Sequence, residues 1–74
     1  FSWNVYPNPS RDYISIMNLP SSFDSSVQVL SIHGKLLMET DSKSNISIKN
    51  LRSGVYWIKI NNDSKIQMKR FVKM

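Results

Sequence analysis

The chain has no cysteine in its 74 residues. Disulfides, thiolate-bound zinc and thiol redox chemistry are therefore excluded, and the redox compartment stays open. Its two glycines, Gly34 and Gly54, stand too far apart to form a phosphate-cradling loop. A single histidine cannot build a histidine metal site or a histidine pair, and His33, directly before Gly34, reads as a turn residue. The five carboxylates, Asp12, Asp24, Glu39, Asp41 and Asp63, are scattered over loops and turn edges, with no spacing that sets two of them across a substrate. A calcium loop needs several oxygens at alternate positions, and Asp41-Ser42-Lys43-Ser44-Asn45 carries a lysine inside, which argues against one. No serine lies in a nucleophile-elbow or triad pattern. These absences point away from an enzyme and imply no cofactor and no metal. No apolar run nears the length a bilayer requires, so no transmembrane segment is expected. The chain opens on Phe1 without a charged-then-apolar leader, and reads as a piece of a longer protein whose export leader, if present, lies upstream.

What is present is a small, β-patterned, unevenly charged chain. At this length a domain removes only roughly 60% of its unfolded surface from water and is marginal. The net charge of +5 is concentrated. Lys49, Arg52, Lys59, Lys65, Lys69, Arg70 and Lys73 lie in the last third against one acid, Asp63, giving a basic stripe on an otherwise balanced domain. With Trp57 and Phe71 nearby, such a stripe suits single-stranded nucleic acid, but a lysine-guarded edge strand is the plainer reading, and the aromatic clusters of the common nucleic-acid folds are missing. No nucleic-acid partner is expected. Asn45-Ile46-Ser47 matches a glycosylation acceptor, a motif too short to carry weight.

Two-residue apolar alternation recurs in short runs separated by turn residues, and no 3.6-residue period persists. The pattern predicts an all-β, seven-stranded, antiparallel Ig-like sandwich with strands near residues 4–7, 12–18, 26–32, 35–40, 45–49, 54–61 and 65–73. The breaks fall at Pro-Asn-Pro-Ser over residues 7–10, at Pro20-Ser21-Ser22 with Asp24, at His33-Gly34, at residues 41–44, at Ser53-Gly54 and at residues 61–64. Ile14, Ile16, Val27, Val29, Ile46, Ile48, Tyr56, Ile58 and Ile60 are expected inside. Pro7 and Pro9, two apart, delete two backbone donors from the same side of an extended segment, so the chain around them reads as an edge unfit for strand addition.

For the last hairpin, a three-residue loop at Asn62-Asp63-Ser64 pairs Ile60 with Ile66 and Ile58 with Met68. This register turns Val55, Trp57, Lys59, Gln67, Lys69, Phe71 and Lys73 outward, sets Trp57 across from Lys69 at cation–π range and Val55 across from Phe71, and leaves Arg70 as an inward misfit.

Three stretches in this order and spacing resemble the type A C-terminal sorting domain of proteins exported by the bacterial type IX secretion system. Val5-Tyr6-Pro7-Asn8-Pro9 looks like the family's Y-P-N-P signature, and Leu51-Arg52-Ser53-Gly54-Val55-Tyr56 matches its L-x-x-G-x-Y motif. The end, Lys65 through Lys73, is similar to its terminal basic-aromatic strand. Between them, Val27 to Lys35 is similar to the family's V-x-V-x-D-x-x-G-K segment, with Ser31 where the family often has Asp. The resemblance implies a delivery label. It would pass through the periplasm, be recognised by the outer-membrane translocon and its shuttle protein, and reach the cell surface or the medium, where a sortase-like cysteine protease removes it from many cargos. Trp57, Lys65, Lys69, Arg70, Phe71, Val72 and Lys73 are the candidate recognition residues. Tyr6, Pro7, Asn8, Pro9, Gly34, Leu51, Gly54 and Tyr56 are motif residues with mainly structural roles, Tyr56 as a tyrosine corner whose hydroxyl reaches a backbone group. Residues 1–4 are expected to end an upstream linker, with the cleavage in or before them because no packing is evident there, and residues 5–74 to form the domain. The alternative is an Ig-like carbohydrate-binding or adhesive module with Trp3, Trp57 or Tyr13 as sugar platforms.

Overall fold

The computed structural model describes residues 3–19, 26–62 and 65–74, except for the side chain of Asn62. The expected break at Pro20 to Asp24 and the residues Asp63 and Ser64 lie outside the described residues, as do Phe1 and Ser2. The strands are β1 (Asn4–Tyr6), β2 (Tyr13–Met17), β3 (Val27–Ser31), β4 (Leu36–Thr40), β5 (Ile46–Ser47), β6 (Gly54–Asn62) and β7 (Lys65–Lys73). They form two antiparallel sheets, β1-β2-β5 and β4-β3-β6-β7. This is the all-β sandwich that the alternation predicts, with β1 ending at Tyr6 before the prolines and β5 shorter than the run at 45–49.

Strand period two puts one side chain in two on the inner face of each sheet. Val5, Ile14, Ile16, Ile46 and Ile48 come from the first sheet and its flank, and Val27, Val29, Ile58, Ile60 and Phe71 from the second. Leu19, Met38, Leu51 and Tyr56 are half-buried around them. Every residue expected inside is there, Tyr56 at the margin. Trp3 joins the core ahead of β1, 1% exposed.

The last hairpin differs from the expected register. Asn62 pairs with Lys65, so the loop holds two residues, and Ile60 faces Gln67, Ile58 faces Lys69, Tyr56 faces Phe71 and Trp57 faces Arg70. A slip of one residue exchanges the two faces of a strand. Phe71 is therefore fully buried rather than outward, and Arg70 is exposed rather than a misfit. Ile66 and Met68 turn out to solvent, 63% and 42% exposed, with Val72 beside them. Counting apolar residues favours the even positions of β7 for the inside, but one aromatic ring outweighs them. Phe71 stacks on Tyr56 with centroids 5.6 Å apart, and Trp3 covers the polar Gln67 and Lys69 that accompany it inward.

Candidate functional site: the last strand and its edge

β7 is the outer strand of the larger sheet, and the chain's first described segment is fastened to it. The Asn8 side chain acts as a short piece of strand. Its Oδ1 accepts from the Val72 N–H at 3.0 Å and its Nδ2 donates to the Arg70 carbonyl at 3.4 Å. Ser10 continues the contact: its N–H donates to the Val72 carbonyl at 2.9 Å, and its carbonyl accepts from the Met74 N–H at 2.7 Å. Pro7 and Pro9 alternate with Asn8 and Ser10 and have no N–H to offer a further strand. The Y-P-N-P stretch thus covers the C-terminal half of the β7 edge and is itself unfit to be extended. Tyr6 stands 67% exposed at the end of β1.

The second anchor is Trp3, whose Nε1 donates to Gln67 Oε1 at 2.6 Å while Lys69 Nζ lies 5.6 Å from its ring centroid. The cation–π partner of Lys69 is therefore Trp3 and not Trp57, which faces Arg70. The expected absence of packing over residues 1–4 fails at Trp3, which is core, and at Asn4, which pairs with Met17. A buried Trp3 is also no sugar platform.

The L-x-x-G-x-Y motif does structural work. Leu51 packs on the core, Gly54 takes φ +154° as the chain enters β6, and the Tyr56 hydroxyl donates to the Arg52 carbonyl at 2.6 Å, the expected tyrosine corner. Tyr56→Phe is expected to cost about 0.5–1.5 kcal/mol, the net worth of one hydrogen bond, read as a lowered urea midpoint with an unchanged slope. In the β3–β4 turn, Gly34 takes φ +90°, which side-chain-bearing residues rarely adopt. Ser31 Oγ there accepts from the N–H groups of His33 and Lys35 at 3.2 and 3.1 Å. Ser31 thereby satisfies two turn donors that a carboxylate would also satisfy.

On its outward face β7 presents Ile66, Met68, Arg70 and Val72, alongside Asn61, Lys59, Trp57 and Val55 of β6. Leu30, buried outside the main core, lies next to Trp57 and Leu36 on this same face, so Trp57 is half-buried. Lys65 is exposed at the start of β7, and Lys73 is half-buried at its end. Of the seven candidate recognition residues, Trp57, Arg70 and Val72 share the outward face, Phe71 is core, and Lys69 is turned inward over Trp3. Ile66 and Met68 were not among the candidates, because the expected register had them inside. Across the molecule, Lys49 sits over the Tyr13 ring at 5.0 Å; its ammonium donating to the Tyr13 oxygen, and then the charge interaction with that same group, raise the lysine pKa.

The model of the secretion system C-terminal sorting domain family matches residues 4–74. The chain belongs to this family. The matched residues include the β7 edge cover at Asn8 and Ser10 and the tyrosine corner at Tyr56. No curated protein matches. A solved structure of PorZ, described as an essential bacterial surface component of the type-IX secretion system of Porphyromonas gingivalis, superposes with a TM-score of 0.77 at 26% identity over 99% of this chain. The sorting domain spans 11% of that chain.

Proposed function

We propose that this sorting domain is a C-terminal secretion signal that directs a larger cargo through the type IX outer-membrane translocon, and that the machinery reads the outward face of β7. The family match along nearly the whole chain carries the first part. The second part rests on a contrast. The inward side chains of β7 are used for folding, whereas Ile66, Met68, Arg70 and Val72 stand exposed on a strand that has a folded neighbour to hold it in shape. Exposed apolar residues interleaved with a cation are a protein-binding pattern. Trp57, Lys65 and Lys73 border this surface.

The cargo crosses the periplasm, meets the translocon and its shuttle protein, and arrives at the cell surface or in the medium. A sortase-like cysteine protease then removes the domain upstream of Trp3, since Trp3 and Asn4 are part of the folded unit. A mature cargo whose new C-terminus falls inside β1 would refute that placement.

The double variant Met68→Glu with Arg70→Glu tests the reading face. Both side chains are exposed, so stability should move by no more than about 0.5 kcal/mol per site. Loss of about 2 kcal/mol at a central contact corresponds to roughly thirty-fold weaker recognition, and export of a fused reporter should fall accordingly. Undiminished export from a folded double variant would exclude this face.

A further inference from the structure

Among the described residues, the edge of β7 is closed along only half its length. The carbonyl of Arg70, both backbone groups of Val72 and the N–H of Met74 point away from β6, toward Asn8 and Ser10. Backbone groups of alternate strand residues point the same way, so those of Ile66 and Met68 also point away from β6. Among the described residues nothing bonds them from that side. The open half carries no proline and no bulge; its guard is lysine, which repels another basic strand but not an acidic one, and its outward side chains are Ile66 and Met68.

Charge identifies the occupant. Lys65 and Arg70 flank the open stretch and Lys59 lies across from Met68, and no carboxylate of a described residue forms an ion pair with these three. A second copy pairing edge to edge would set these cations against each other, whereas an acidic strand would be drawn to them. We propose that the β7 edge from Lys65 to Lys69 is a strand-addition site for an extended, acidic segment of a protein partner, with apolar side chains of the added strand beside Ile66 and Met68. Main-chain hydrogen bonds supply affinity in this mode and alternate side chains supply specificity. The inference rests on the sorting reading, because it names the chemistry of that partner.

The test uses the full 74-residue chain and, as probe, a capped peptide of alternating glutamate and valine, with a lysine–valine peptide as control. At saturating acidic peptide, amide exchange at Ile66 and Met68 is expected to slow by about tenfold, while Val72, already bonded to Asn8, is unmoved and the lysine peptide has no effect. Met68→Pro removes an outward N–H without touching the β6 ladder and should abolish the protection, which Met68→Ala should retain. If the proline variant does not fold, Lys65→Glu with Arg70→Glu should abolish it instead. Unslowed exchange, equal slowing by both peptides, or slowing that grows with protein concentration alone, meaning a second copy, would overturn the proposal. Export separates the two ideas. A Met68→Pro fusion that folds and is exported as well as the parent sinks the edge site and leaves the sorting reading standing; a parent fusion that is not exported sinks the sorting reading itself.

Discussion

Replacing Phe71 by alanine is expected to cost about 3–5 kcal/mol and to leave a large part of the protein unfolded at 37 °C. A chain of this length has roughly 4–11 kcal/mol of stability to lose, at about 0.05–0.15 kcal/mol per residue. Phe71 is fully buried and stacks on Tyr56, so the change opens a cavity at the sandwich edge and loosens the tyrosine corner together. Urea titration followed by circular dichroism reads the loss as a lowered midpoint. Val72→Ala, one residue on but 39% exposed, should cost less than about 1 kcal/mol. Were Phe71 an outward contact for the secretion machinery, the order of these two effects on stability would vanish, and Phe71→Ala would fold as the parent does. Loss of export in Phe71→Ala therefore reports unfolding, and Phe71→Leu should recover much of it.

Trp3→Ala carries the second large effect, again about 3–5 kcal/mol. Trp3 is buried and fastens the start of β1 to β7 through its hydrogen bond to Gln67 and its contact with Lys69. Trp3→Phe keeps most of the burial and loses the hydrogen bond, for about 1 kcal/mol plus the smaller ring. Removal of residues 1–2 and removal of residues 1–4 then give a direct boundary test. The longer deletion should lower the thermal midpoint by many degrees, at about 4–8 °C per kcal/mol for a domain this small. Equal stability of the two would return Trp3 and Asn4 to the linker.

The fold was legible because both sheets use period-two alternation with β-branched residues inside. Ile14 and Ile16, Val27 and Val29, Ile46 and Ile48, and Ile58 and Ile60 have no competing period. The tyrosine corner was legible for the same local reason, since Gly54 and Tyr56 lie within one turn of the carbonyl that the hydroxyl reaches. β7 was not legible. Lys-Ile-Gln-Met-Lys-Arg-Phe-Val-Lys has three apolar residues in one phase and one ring in the other, and pairwise matching with β6 cannot see that Trp3 arrives from more than sixty positions away to cover Gln67. Long-range partners of that kind decide a register that local pattern leaves balanced. Trp3 itself reads as linker because a lone aromatic before a short strand carries no period. The role of Asn8 as a strand surrogate is hidden as well: the pair of prolines around it marks a segment unfit for strand addition, and nothing local shows that this segment closes the edge of β7.

These residues are proposed to act as a secretion address. The most direct measurement is export of a fluorescent reporter that carries an export leader and the 74 residues at its C-terminus, in cells with and without a working type IX translocon, beside the same fusion ended at Lys65. Reporter at the surface or in the medium only when both the translocon and β7 are present is the result predicted. Reporter retained inside regardless of the translocon, or released equally well without β7, would contradict it.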